Sequence, residues 1–144
     1  MIRAVLDTNV LASGFVEFAF SARTPARLLR LWREQRFELI VSDEIMTELL
    51  RTLRKPYFRR QITADQIQAA EWLLLNEATS TTRTIAVAGV ALHAEDDLVL
   101  AAAVSAGADY LVTGDKRFLA VGSYAGVSIV SPRAFLDVLE AESP

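Results

Sequence analysis

Four acidic residues are the first candidates for chemistry, because each of them borders an apolar segment. Asp7 and Asp115 each come at the end of an apolar run of strand length. Asp97 opens a predicted helix that is apolar on all sides, and Glu48 lies mid-helix at the margin of an apolar face. The carboxyl ends of parallel strands meet at one edge of a sheet, and ligands of such sheets bind there. We therefore expect the four carboxylates to share one site.

Carboxylates that converge repel one another and raise one another's pKa unless cations lie between them. The chain has no Cys and one His, so the ligands of such a cation are oxygens. Oxygen ligands favour Mg²⁺ or Mn²⁺ over Zn²⁺, and Mg²⁺ commonly bridges protein carboxylates to phosphate. This donor set fits hydrolysis of a phosphodiester by metal-activated water, without a protein nucleophile.

Each of these acids also has a purely structural interpretation. Asp7 can cap a helix that starts near Val10, and Asp97 and Asp115 can be cap or turn residues. Glu48 can form a surface ion pair with Arg51. The residues taken singly leave these alternatives open, and only their joint occurrence favours a shared site.

Two neighbours of Asp97 are assigned supporting roles. The apolar stripe of the helix starting near Asp96 runs through Asp97, Leu100, Ala101 and Val104, so Asp97 is predicted to point inward. Asp96 is then predicted to face elsewhere, as a cap or a supporting group. His93 precedes this helix, and we interpret it as a local hydrogen-bonding residue rather than a ligand or base.

A basic run without intervening acids follows Glu48. It consists of Arg51, Arg54, Lys55, Arg59 and Arg60. The run is either a solvated face or a surface that holds the backbone of a polyanion near the site. Lys116 and Arg117 border Asp115 in the same way, and we include Arg51, Arg54 and Lys55 with them as candidate nucleic-acid-binding residues. Tyr57 and Phe58 inside the run either stack on bases or pack in the core.

Strands and helices that alternate along the chain must position these residues. We predict strands at 2–6, 37–41, 85–87, 109–113 and 127–130. We predict helices at 25–35, 43–54, 64–78, 96–106 and 132–140, started by caps such as Ser42 and the box formed by Thr63 and Gln66. This alternation predicts an α/β fold with one parallel sheet flanked by helices.

The bulk properties limit the class of protein. A chain of 144 residues fits a single domain, 1–144, and lacks a signal peptide or a membrane-spanning run, so we expect a cytoplasmic protein with no membrane partner. The hydrophobic content of 52% is high, which suggests that a partner or a second copy covers some apolar surface. A net charge of −3 does not exclude nucleic acid, because metal ions would neutralise the clustered acids.

The motifs together resemble a PIN domain, most closely the VapC-like toxin components of bacterial toxin-antitoxin systems. The resemblance covers nearly the whole chain in order. It rests on LDTNVL at 6–11, Ser42 followed by Glu48, the pair Asp96-Asp97 before Leu100-Ala101, and ADYLVTGD at 108–115.

The resemblance implies a three-layer α/β/α sandwich and a metal-dependent ribonuclease. Its Mg²⁺ or Mn²⁺ site would be formed by Asp7, Glu48, Asp97 and Asp115. Asn9 and Thr113 would stand beside this site and orient the ligands or water. The family also implies a homodimer and an antitoxin protein that covers the active groove.

The first functional hypothesis is therefore a toxin-type endoribonuclease. The alternative is a PIN module that acts mainly in RNA or protein binding, or in RNA processing, without a toxin role. A phosphatase with Asp7 as nucleophile is a minor alternative, since Asn9 stands where a second Asp is expected. A receiver domain is disfavoured as well, because the pair of acids expected around the first strand is missing.

Overall fold

One sheet with helices packed around it forms the centre of the structure. The computed structural model describes residues 1–18, 21–82, 84–91 and 93–142. Within these residues the sheet has six strands. They are β1 (Arg3–Leu6), β2 (Glu38–Val41), β3 (Thr79–Ser80), β4 (Tyr110–Val112), β5 (Ser123–Tyr124) and β6 (Val127–Val130).

The strand order is β3-β2-β1-β4-β6-β5, and each neighbouring pair is parallel except β5 and β6. The predicted α/β/α sandwich around a central parallel sheet is confirmed, and the sheet is parallel except at its β5 edge. The antiparallel edge pair β5–β6 was not predicted. Its two-residue turn at Ala125 and Gly126 has φ values of 49° and 86°, which suits a tight hairpin between twisted strands.

The predicted helices are present, with ends that differ from the prediction by at most two residues. The helices are α1 (Thr8–Glu17), α2 (Thr24–Arg33), α3 (Asp43–Leu53), α4 (Pro56–Arg59), α5 (Ala64–Glu77), α6 (Ala94–Ser105), α7 (Lys116–Leu119) and α8 (Pro132–Ala141). The capping box of Thr63 and Gln66 forms in full, and the Ser42 hydroxyl accepts from the Ile45 N–H. None of the helices formed by the described residues is long and apolar enough to cross a membrane.

The third strand lies elsewhere than predicted. Residues 85–87 are outside the sheet, with Ile85 exposed and its N–H donating to the Ser105 hydroxyl. Instead Thr79 pairs with Ile40 directly after α5, and its hydroxyl donates to Glu38. A strand of two polar residues shows no apolar pattern, whereas an isolated apolar triplet resembles a strand without being one.

Three further elements were not predicted from the sequence. Helix α1 starts at Thr8, two residues before the Val10 start considered above, and it takes in part of 14–22, where no element was assigned. Residues 19 and 20 of that stretch lie outside the described part of the chain, as do residues 83 and 92. The short helices α4 and α7 are each a single turn, which is below the length at which helical periodicity can be recognised.

The central strands β1 and β4 place the two strand-end acids close together. Leu6 pairs with Val112, and the Asp7 N–H donates to the Val112 carbonyl at 2.8 Å. Helix α6 packs against both strands, and α3 packs against α1 and α6. The carboxyl edge of the sheet is therefore surrounded by the beginnings of α1, α6 and α7 and by one side of α3.

Helices α1 and α2 approach closely because α1 has no side chain at Gly14. A Cβ at this position would lie 2.7 Å from Leu29 Cδ1 and 3.0 Å from the Pro25 carbonyl oxygen. Leu29 is fully buried and cannot move aside without disturbing the core. Gly14 is thus required by helix packing, despite its poor helix propensity.

We expect Gly14→Ala to lower the free energy of unfolding by about 1–2 kcal/mol, because overpacking outweighs the gain in helix propensity. Urea unfolding measures this difference. The double variant Gly14→Ala with Leu29→Ala should lose less unfolding free energy than the two single variants lose together, because the smaller side chain at position 29 leaves room for the added methyl group. A Gly14→Ala protein as stable as the unsubstituted chain would contradict the close approach.

Candidate active site

A cavity of about 730 Å³ opens at the carboxyl edge of the sheet. Its acidic lining comes from separate elements and consists of Asp7, Glu48, Glu95, Asp96 and Asp115. Among the described lining residues, Lys55 is the one basic side chain and His93 the one imidazole. Three of the four predicted site acids are thus brought together, and one is not.

Asp7 is the most buried acid of the cavity lining, with 7% exposure. Its Oδ1 accepts from the Thr8 N–H at 2.8 Å, and its Oδ2 accepts from the Thr113 hydroxyl at 2.8 Å. Burial raises the pKa of Asp7, and the charge of Asp115 adds to this, while the hydrogen bonds from Thr113 and Thr8 oppose it. Asp7 therefore caps α1 and also faces the cavity, so its two interpretations are compatible.

Thr113 connects two acids of the site. Its hydroxyl donates to Asp7 and accepts from the Asp115 N–H at 3.2 Å, and the residue is fully buried. Asp115 in turn caps α7 through the Arg117 N–H at 2.9 Å, and it lines the cavity. Asn9 also lines the cavity. The supporting positions predicted for Thr113 and Asn9 agree with this placement.

Glu48 reaches the cavity from the side of α3. Its Oε2 accepts from Arg51 Nη1 at 2.7 Å, which is the surface ion pair considered above. The Glu48 side chain is 22% exposed and the Arg51 side chain 64% exposed. Arg51 therefore holds the Glu48 carboxylate in place, and its positive charge is partly neutralised by that ion pair.

Of the two neighbouring acids Asp96 and Asp97, the one that lines the cavity is Asp96, whereas the sequence analysis expected Asp97 there. Asp97 points inward as predicted, but its oxygens accept from the Gly89 N–H at 2.9 Å and the Ala91 N–H at 2.8 Å. It does not line the cavity, whereas Asp96 does. The apolar stripe shows which side of a helix faces the core, and the cavity lies beside that stripe, at the start of α6.

The environment of Asp96 is that of a site acid. Burial above all, together with the charges of Asp7 and Asp115, raises its pKa to about 6. His93 acts in the opposite sense. Like charges that destabilise one another in this way favour a bound cation between them.

His93 and the predicted RNA-binding residues occupy different positions. The His93 side chain makes no capping hydrogen bond, contrary to the local role expected for it, and it lines the cavity. Lys55 lines the cavity as well. Arg54, Lys116 and Arg117 are exposed outside the lining. The sequence analysis did not single out Glu95, although the acidic run at 95–97 was a signal for it.

A divalent cation fits the donor set of this cavity. Asp7, Glu48, Asp96 and Asp115 offer carboxylate oxygens, the donors that Mg²⁺ and Mn²⁺ prefer. Among the residues that the structure describes, no three carboxylates or imidazoles stand close enough to form a ready-made metal cage. The arrangement suits an ion that keeps several water ligands, as Mg²⁺ does.

Comparisons with known proteins agree with this architecture. A family model described as PIN domain matches residues 3–117. The chain is similar in fold to VapBC2 from Rickettsia felis, in a crystal structure with a DNA fragment from the promoter of that pair. The TM-score is 0.59 at 14% sequence identity, over 90% of this chain and 98% of the other. A search of curated proteins found no significant match.

We expect Asp96→Asn to stabilise the metal-free protein at pH 7.5. Asp96 has a pKa of about 6 in the folded protein and 3.8 as the ordinary value, so between these pH values the folded state binds more protons than the unfolded state. The stability of the folded state therefore falls as the pH rises through this range, and above it the Asp96 charge opposes folding in full. The gain should be about 1–2 kcal/mol, after allowance for solvent screening of a half-buried group. Urea unfolding at pH 7.5 and pH 4 measures it, and at pH 4 the gain should largely disappear.

Asp65→Asn is the matched control, because Asp65 is also an acid in the first turn of a helix but is exposed. Its removal weakens the favourable interaction with the helix N-terminus and gives no gain in stability at pH 7.5. If Asp96→Asn changed the free energy of unfolding at pH 7.5 no more favourably than Asp65→Asn does, the repulsion assigned to the cavity would be absent.

Proposed function

The chain belongs to the PIN domain family, and from that premise we propose that it is a metal-dependent endoribonuclease that hydrolyses RNA phosphodiester bonds. The observation that carries this proposal is the meeting of Asp7, Glu48, Asp96 and Asp115 in one cavity. All four residues lie within the segment that the family model matches. Phosphodiester hydrolysis by metal and water requires no other reactive side chain.

The cofactor that we propose is Mg²⁺ or Mn²⁺, held by Asp7, Glu48, Asp96 and Asp115, with Asp96 in the place first given to Asp97. When bound, such an ion lowers the pKa of its water and stabilises the charge that develops on phosphate oxygens. The raised pKa values of Asp7 and Asp96 support this assignment. Burial is their main cause and repulsion between the acids adds to it, and a cation would stabilise carboxylates that are disfavoured in both ways.

The residues of the chain supply fixed positions for the reaction. Thr8 and Thr113 fix the carboxylate of Asp7, and Arg51 fixes that of Glu48. Lys55 brings a positive charge to the cavity wall, where it attracts a phosphate. Hydrolysis adds one water across the P–O bond, so that the hydroxyl joins phosphorus and the proton goes to the leaving oxygen.

We propose further that the protein is a toxin component of a type II toxin-antitoxin system, active in the cytoplasm. The fold shared with VapBC2 and the resemblance of the sequence motifs to VapC-like toxin components support this role. An antitoxin protein and a second copy of the chain are then the expected protein partners. Exposed Trp72 and Leu75, at 61% and 62% exposure, agree with a surface that a partner covers.

We expect Asp7→Asn and Asp96→Asn each to lower the rate of RNA cleavage at least about 100-fold, because each removes a charge that holds the ion. Asp97→Asn should retain cleavage within about 10-fold, since an amide oxygen still accepts a loop N–H. Cleavage of single-stranded RNA and of tRNA in Mn²⁺ measures these rates, and EDTA should abolish all of them.

The proposal fails if the purified protein cleaves RNA equally well in EDTA. Tight RNA binding without turnover in saturating Mn²⁺ would support the alternative of a binding module. A loss with Asp97→Asn as large as that with Asp96→Asn, in a protein that stays folded by circular dichroism, would return the ligand role to Asp97.

We expect Thr113→Val to lower kcat about 10- to 100-fold, because Asp7 and Asp115 then lose the hydroxyl that fixes them. Thr113→Ser keeps the hydroxyl and should retain kcat within a few-fold. Steady-state cleavage with Mn²⁺ separates the two variants. Equal kcat values for the Thr113→Val and Thr113→Ser proteins would show that the hydroxyl has no part in arranging the site.

A further inference from the structure

The segment from Arg54 to Arg60, here called the basic ridge, leaves the cavity wall at Lys55. No acid lies between Glu48 and Asp65. Arg59 donates to the Ile62 carbonyl, but Arg54, Lys55 and Arg60 make no side-chain hydrogen bond or ion pair with any described residue. The ridge therefore offers three free positive charges to a partner, and this complementarity favours a polyanion.

Tyr57 is the exposed aromatic of the basic ridge, with 66% exposure. Its neighbour Phe58 is half-buried and packs against the hydrophobic core. The two rings are perpendicular, with centroids 5.0 Å apart. Gln61 donates to the Tyr57 carbonyl at 3.1 Å, and Pro56 starts the helical turn. Phe58 thus anchors the turn, while the Tyr57 ring is left largely in solvent.

The position of Tyr57 links it to the cavity. Lys55 lines the cavity and precedes Tyr57 by two residues, so the two Cα atoms are at most about 7 Å apart. An exposed aromatic ring beside free cations is the combination by which proteins bind single strands, with bases on the ring and phosphates on the cations. Bases inside a duplex are already stacked and do not offer their faces.

Resting on the ribonuclease function proposed above, we propose that Tyr57 is a stacking platform for an unpaired base next to the cleavage site. Arg54 and Arg60 bind the backbone phosphates on either side of that base. The substrate is then single-stranded RNA, or the unpaired part of a structured RNA. Tyr57 is a positioning residue, since it touches the substrate away from the reacting phosphate.

The test measures both binding and cleavage. Binding is measured by fluorescence anisotropy with a 12-nucleotide single-stranded RNA and with its duplex, in the Asp7→Asn protein so that the RNA stays intact. Tyr57→Ala should weaken single-strand binding about 10-fold and leave duplex binding unchanged. In cleavage by the otherwise unsubstituted protein, Tyr57→Ala should raise KM by a similar factor with kcat nearly unchanged. Tyr57→Phe should restore both values.

Trp72→Ala is the matched control, because Trp72 is equally exposed and lies on α5, outside the cavity lining. It should leave single-strand binding unchanged. For the cations, Arg54→Gln and Arg60→Gln should each reduce the slope of log K against log salt by about 0.7. Arg33→Gln should not change the slope, because Arg33 lies away from the cavity, beside Met1 and Glu77 near the amino ends of β1 and β2.

Three results would overturn the inference. The first is equal single-strand affinity of the Tyr57→Ala and Tyr57→Phe proteins. The second is a loss of duplex affinity with Tyr57→Ala that is as large as the loss of single-strand affinity. The third is a change in sedimentation with Tyr57→Ala at unchanged RNA affinity, which would make the ring part of a protein interface. Failure of the unsubstituted protein to cleave any RNA in Mn²⁺ would reject the ribonuclease function alone, since the binding measurements stand independently of cleavage.

Discussion

Like charges meet at the carboxyl edge of the sheet, and the surrounding structure has to offset their repulsion. Asp7 is held by the Thr8 N–H and the Thr113 hydroxyl, and Thr113 also accepts from Asp115. These bonds lower the pKa of Asp7 but do not cancel the effect of its burial. Asp7 and Asp115 are thus kept in place by neutral groups, and their part of the site is left with excess negative charge, which is the condition under which a cation binds.

The same residues serve both structure and chemistry in this protein. Asp7 and Asp115 cap the helices that follow their strands, and Glu48 forms an ion pair with Arg51. A capping carboxylate keeps a free lone pair after it accepts an N–H, so the structural role does not prevent a ligand role. This explains why the structural and chemical interpretations of the sequence could not be separated residue by residue.

Most of the fold followed from caps and apolar runs, because these signals are local. The positions of Asp7 and Asp115 followed from the rule for strand ends in parallel sheets. The choice between Asp96 and Asp97 did not follow, because helical periodicity separates core from surface and does not locate a cavity. The pair Thr79-Ser80 forms a strand through contact with β2, and its own sequence carries no signal for that.

The central claim is that the cation site lies between Asp7, Glu48, Asp96 and Asp115, away from Asp97. Anomalous scattering from a crystal of the protein soaked in Mn²⁺ tests this most directly. The account predicts a peak inside the cavity, next to carboxylate oxygens of these four residues, with Asp97 still bound to the Gly89 and Ala91 amides. A peak coordinated by Asp97, or a cavity without a peak in saturating Mn²⁺, would contradict it.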